Sequence, residues 1–252
     1  MTQFSLGILT GISYVSGLDY YKGIHERVLA SVPTGHLMPP NPPMMLASVD
    51  CDEYAHYLTT RAFDQAAAHL LRGVDRLVAA GCNLLVIASN TGHICVPAVE
   101  AAHPQLKVLH IADCFAYRLK QQGISTVGLV GTKATMEEPY LHDRLARHGI
   151  STCVPVQEAE REEIFRIIRE ELSFNQFRPK SRQTIVNSIR ALADQGAPAC
   201  ILGCTEIELL VQQAHVPELP LLPSAEIHIA TVADVLLGKM AVDDVLPKIR
   251  FD

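Results

Sequence analysis

The 252-residue chain has no tryptophan, and aromatic residues make up only 6% of it. It therefore offers few flat faces on which nucleic-acid bases could stack. It also lacks a basic block: 21 Lys and Arg stand against 27 Asp and Glu, a net charge of −6. Nucleic-acid binding relies on clustered Lys and Arg, so that partner is set aside. No stretch of about 18 uninterrupted apolar residues occurs, which argues against a membrane span. The opening MTQFSLGILTGISYVSG has no positively charged start and is interrupted early by Thr10, Gly11 and Ser13. It reads as a first strand and not as a signal peptide.

Several motifs are missing as well. There is no GxGxxG, and Gly128 and Gly131 alone are too short a pattern for a dinucleotide site. Walker A and GxSxG are absent. Cys200 and Cys204 are four apart but have no second pair of ligands at matching spacing, so no metal site is expected. The seven Cys are odd in number and scattered, which points to reduced thiols in a cytoplasmic protein and not to a disulfide framework.

What is present is an alternation of short apolar runs and longer helical patterns. Candidate strands are Ser5–Thr10, Met44–Val49, Asn83–Ala88, Val108–Ile111, Thr126–Val130 and Ala199–Leu202. Helical periodicity marks Asp64–Ala80, Arg161–Leu172, Ile185–Ala193 and Glu226–Leu237. Such alternation implies crossover connections and parallel sheet. The Pro-rich Met38–Pro43 reads as a loop. A faint repeat runs through the chain: LGILTGIS at Leu6 is like VGLVGTKA at Val127, and LLVIASNT at Leu84 is like ACILGCTE at Ala199. Two similar α/β lobes would explain it; chance likeness between apolar strands is the plainer alternative.

In open α/β sheets, ligands sit beyond the carboxyl ends of the strands. Here those ends are Thr10–Ser13, Ser89–His93, Gly131–Thr135 and Gly203–Glu206, all rich in Gly, Ser and Thr. Helix starts there would offer free N–H groups and hydroxyls to a small anion. Any one of them alone is explained as a helix cap. Cys204, between a strand and an apolar helical run, is the candidate reactive thiol, and a helix N-terminus is expected to lower its pKa. Cys82, Cys95, Cys114, Cys153 and Cys200 read as small buried hydrophobes. His93 and His110 follow strands, where a lone His is more often a hydrogen-bonded structural group, although for His93 a place in the site is an equal alternative.

The S-N-T-G-H stretch at Ser89, H-I-A-D at His110, G-T-K-A-T-M at Gly131 and G-C-T-E-I at Gly203 lie in the order seen in the aspartate/glutamate racemase family, which this sequence resembles over nearly its whole length. The resemblance implies an α/β fold of two similar lobes, each a mainly parallel sheet flanked by helices, with the active site in the cleft between them. By the same token residues 1–112 plus 222–252 form the first lobe and 113–221 the second. It implies a homodimer and a cofactor-independent, PLP-free isomerase for a small dicarboxylate amino acid. In that family two residues, commonly both Cys, move protons on opposite sides of the α-carbon. By position these are Cys204 and Ser89, with Ser13, Asn90, Thr91, Thr132 and Thr205 as substrate binders. Ser89 is the departure, because a neutral hydroxyl is a poor base. Enantiomer preference follows for a racemase of this kind. The alternatives are a one-thiol malonate-type decarboxylase and a catalytically impaired dicarboxylate-binding homologue. Arg61, Arg166, Arg178, Lys180 and Arg182 are the basic candidates for the substrate's carboxylates.

Overall fold

The computed structural model describes residues 4–247 except Thr34, His36 and Pro39. The chain divides into two compact units. One takes in the chain up to Cys114 together with Ala225–Leu246, and the other runs over Phe115–Ser224.

The first unit contains β1 (Leu6–Thr10), α1 (Tyr14–Ser31), β2 (Met44–Ser48), α2 (Cys51–Thr59), α3 (Phe63–Ala79), β3 (Leu84–Ile87), α4 (Val96–Ala102) and β4 (Lys107–Val108), and α5 (Ile111–Gln121) begins in it. Its strands pair parallel in the order β2-β1-β3-β4. β3 is apolar throughout and β1 is apolar up to its terminal Thr10, and both are buried, as central parallel strands covered on both faces must be. α3 turns Leu70, Val74 and Leu77 into the core beside Leu9, Leu85 and Ile87. Each such side chain contributes about 1.5–3 kcal/mol through burial.

The second unit holds β5 (Thr126–Gly131), α6 (Lys133–Glu137), α7 (Pro139–Arg147), β6 (Ser151–Cys153), α8 (Glu158–Glu170), α9 (Pro179–Asp194), β7 (Cys200–Gly203), α10 (Thr205–Leu210) and β8 (Leu221–Pro223). α11 (Ser224–Leu236) and α12 (Val242–Val245) follow, and from Ala225 onward they belong to the first unit. The strand order is β6-β5-β7-β8, again all parallel. The core gathers Ile164, Ile168, Ile185 and Ile189 of α8 and α9 against Val130 and Leu202.

The two sheets thus share one strand order, and their registers correspond. Leu9 faces Ile87, and Val130 faces Leu202. Val130 lies 121 residues after Leu9, and Leu202 lies 115 after Ile87, the same offsets that separate the similar sequence stretches. On this register Ser89 corresponds to Cys204.

Three expectations shift. The strand expected at Val108–Ile111 ends at Val108, because Ile111 starts α5 and its N–H goes to His93 Nε2. β6 and β8 were not expected. β6 is three residues with polar Ser and Thr, and β8 ends in a proline, which only an edge strand tolerates. α1 was also missed, since its outer face carries Tyr14, Leu18, Tyr21 and Leu29, blurring the polar–apolar contrast. Met38 and Pro40–Pro43 lie outside any helix or strand, as read; Pro39 of that loop falls outside the described residues, as does the start of the chain up to Gln3. Among the described residues no helix is long and apolar enough to cross a membrane.

Candidate active site

Within each unit the strand order reverses at the central pair: β1 leads to β2 on one side, and the chain then returns to β3 on the other. Beyond the carboxyl ends of such a pair lies the natural ligand position of the sheet. In the first unit that position is bounded by Thr10–Ser13 and Ser89–His93, and in the second by Gly131–Thr135 and Gly203–Glu206.

At the end of β1 the chain turns at Gly11, whose φ is +94°. A side chain there would be strained and would also run into the backbone of Val49, so glycine is required. Ser13 then caps α1, its Oγ accepting from the Ser16 N–H at 3.4 Å. The thiol of Cys51, at the start of α2, donates to the Ile12 carbonyl of this same turn at 2.9 Å.

At the end of β3 the polar cluster folds into a short 3₁₀ turn, Thr91–Cys95. Ser89 Oγ accepts from the Gly92 N–H at 3.3 Å and lies 3.2 Å from Thr91 Oγ1. The Ser89 carbonyl oxygen takes a hydrogen bond from His93 Nδ1 at 2.8 Å. Because His93 Nε2 accepts from the Ile111 N–H at 3.2 Å, the proton must sit on Nδ1. His93 is therefore a neutral, buried brace that ties the turn to the start of α5, and not a base aimed outward. Its ring packs against His110, centroids 4.4 Å apart, and near His228 at 5.9 Å. His228 Nε2 donates to the Leu109 carbonyl, so its Nδ1 accepts from the Tyr20 hydroxyl, both at 2.8 Å. Burial pushes the His228 pKa down to about 4. Asn90 and Thr91 are buried, and Ser89 is partly buried.

In the second unit, Thr132 caps α6, with Oγ1 accepting from the Thr135 N–H at 3.2 Å. A hydroxyl chain continues from Thr132 through Thr135 to Tyr140, at 2.9 and 3.2 Å. Burial holds the Tyr140 phenol above its ordinary range, with smaller contributions from Glu138 and Cys204. Cys204 occupies the cap position of α10 and is 7% exposed. Its Sγ donates to Glu206 Oε2 at 3.0 Å, and Thr205 Oγ1 donates to the same oxygen at 2.8 Å.

This corrects the expected acidity of Cys204. Its pKa is held well above the ordinary thiol value, first by burial and then by the Glu206 carboxylate. α10 has only six residues, and its dipole does not offset these two effects. Glu206 was not singled out in the sequence, although it stands two residues from Cys204 in G-C-T-E. His228 and Tyr20 had no sequence signal, because they come from distant parts of the chain.

The basic candidates are largely engaged elsewhere. Arg166 pairs with Glu163, Glu170 and Glu171, and Arg178 with Glu171. Arg182 Nε donates to the Leu210 carbonyl at 2.8 Å. Arg61 lies over the Phe63 ring. Lys133, next to Thr132 and outside that set of candidates, pairs with Glu158 and Glu162. Among the described residues no group of three or more His, Cys, Asp or Glu is placed to hold a metal ion.

The sequence pattern of the Asp/Glu/Hydantoin racemase family matches residues 9–232. A Yersinia pestis protein solved as a candidate Asp/Glu racemase is 36% identical, with a TM-score of 0.82 over 92% of this chain and 98% of its own. An aspartate racemase homologue from Pyrococcus horikoshii OT3 is 28% identical, with a TM-score of 0.76 over 93% of this chain and all of its own. The Picrophilus torridus aspartate racemase shares the fold at 20% identity, with a TM-score of 0.66 over 93% of each chain.

Proposed function

The chain belongs to the Asp/Glu/hydantoin racemase family, and we propose that it racemises aspartate and/or glutamate by proton transfer at Cα, without a cofactor. The observation that carries this reading is the thiol of Cys204 at the switch position of the second sheet, answered at the corresponding position of the first sheet by Ser89. Cys204 is the acid/base group for one side of Cα. Ser89 serves the other side, directly or through a water. Ser13, Asn90, Thr91, Thr132 and Thr205 supply hydroxyl, amide and backbone donors for the carboxylates.

The contacts of Ser89 support an enantiomer preference. Its hydroxyl meets Thr91 and the Gly92 N–H, neither of which is a base. Proton removal on that side is the slower one. The reading extends to a cytoplasmic homodimer, supported by the exposed apolar residues of α1.

The test is deuterium incorporation from solvent at Cα of L- and D-aspartate and L- and D-glutamate. Wild type should exchange one enantiomer of a pair faster. Cys204→Ala should abolish exchange, and Ser89→Ala should depress the slower direction most. Absence of exchange with all four substrates removes the proposal. Release of CO₂ from an arylmalonate, insensitive to Ser89→Ala, would replace it with the one-thiol lyase.

A further inference from the structure

We infer that Glu206 and Cys204 act as one unit sharing a single proton, with Glu206 receiving that proton whenever Cys204 works as a base. The inference rests on the racemase reading for its chemistry and on the local geometry for the pairing. Two donors converge on one carboxylate oxygen: the Cys204 thiol at 3.0 Å and the Thr205 hydroxyl at 2.8 Å. The Thr205 bond fixes where that oxygen sits, and that oxygen fixes the direction of the S–H bond.

A resting thiol can donate a proton but cannot remove one, since the thiolate is the basic form. Ser89, as a neutral hydroxyl, offers no base either. The carboxylate of Glu206 supplies what is missing. The S–H bond breaks, its proton forms an O–H bond at Oε2, and the pair's one negative charge passes from the carboxylate to the sulfur. The thiolate then takes the Cα proton: the C–H bond breaks, a new S–H bond forms, and the electron pair of the C–H bond passes into the substrate's enolate. Cα is reprotonated from the Ser89 side by water, and the hydroxide left behind is neutralised through solvent by the extra proton that Glu206 releases. Among the described residues Tyr140 also lies near Cys204; burial holds its phenol above the ordinary range, and it takes no part in this exchange. Glu206 is thus a positioning residue that acts through Cys204.

A purely structural role predicts something different. Glutamine has the same shape, and its amide oxygen still accepts from both Cys204 and Thr205. It carries no charge and cannot take the proton. In Glu206→Gln, deuterium exchange at Cα should fall by about 100-fold or more, the usual scale for losing a general base. Glu206→Asp should recover part of it. Separately, the pH profile of iodoacetamide alkylation at Cys204, read on its peptide by mass spectrometry, needs no substrate. Its midpoint should move down by about one pH unit or more in Glu206→Gln, because a neighbouring negative charge is gone. Exchange within threefold of wild type, or an unmoved alkylation midpoint in a variant with wild-type circular dichroism, overturns the inference. If wild type exchanges no amino acid but the midpoint still moves, the racemase proposal and the proton transfer fall together, and only the charge coupling of Glu206 to the Cys204 thiol stands.

Discussion

His93 Nδ1 donates to the carbonyl oxygen of Ser89 at 2.8 Å, and the same ring accepts from the Ile111 N–H at 3.2 Å. One buried imidazole thus fixes the turn that carries Ser89 to the first residue of α5. Replacing it with leucine leaves a carbonyl and an N–H without their partners, at a cost of about 1–3 kcal/mol for each buried group. His93→Leu should lower the unfolding free energy by about 2–6 kcal/mol in urea titration. Exchange activity should fall further than this loss of folded protein accounts for, because Ser89 moves.

Ser89→Cys should make the two directions more alike. A thiol ionises near pH 8.5, far below a serine hydroxyl, and the Gly92 N–H that now meets Ser89 Oγ would stabilise the thiolate. Deuterium exchange of the slower enantiomer should rise about tenfold or more, within the usual range for a working general base. No gain in that direction, in a variant that still exchanges the faster enantiomer, would argue that this side is served by water alone.

His228 makes stability depend on pH. Its pKa is about 4 in the folded chain and near 6.5 when unfolded. Between these values the unfolded chain binds the proton and the folded chain does not, so stability falls as pH drops from about 6.5 to 4. The full effect is about 3 kcal/mol. Urea titrations at pH 7 and pH 5 should show the loss. His228→Gln, which retains an acceptor for Tyr20 and a donor for Leu109, should remove most of this His228 contribution to the difference.

The thiols should label in a set order. Cys51 is the exposed cysteine, with its Sγ at the Ile12 carbonyl. Cys95 is fully enclosed, and burial pushes its pKa up to about 12. Brief iodoacetamide treatment near neutral pH should modify Cys51 first and leave Cys95 untouched, as peptide mass spectrometry would record. Early labelling of Cys95 would contradict the packing of the first core.

Much of this was legible from apolar runs that end in Gly, Ser and Thr. β1, β3, β5 and β7 are central, buried strands, and central strands write the clearest signal. β6 and β8 are edge strands of three residues, too short and too mixed to stand out. The candidate site was legible where it is local in sequence, as at Ser89–Thr91 and Cys204–Thr205. The His228–Tyr20 link was not, because the two residues are 208 positions apart and meet only in the fold. The acidity of Cys204 was misread because a sequence shows the helix start but not the depth of burial or the aim of the Glu206 side chain.

The matching strand orders of the two sheets have an evolutionary consequence. A chain whose second half repeats the first in topology and register has the make-up of one shorter ancestor used twice and then joined. Before joining, both copies would have carried the same residue at the end of the third strand. Afterwards each position was free to change by itself. On the racemase reading, Ser89 and Cys204 are one duplicated position filled by a hydroxyl and a thiol, and the unequal exchange of the two enantiomers proposed above is what two identical halves could not have had.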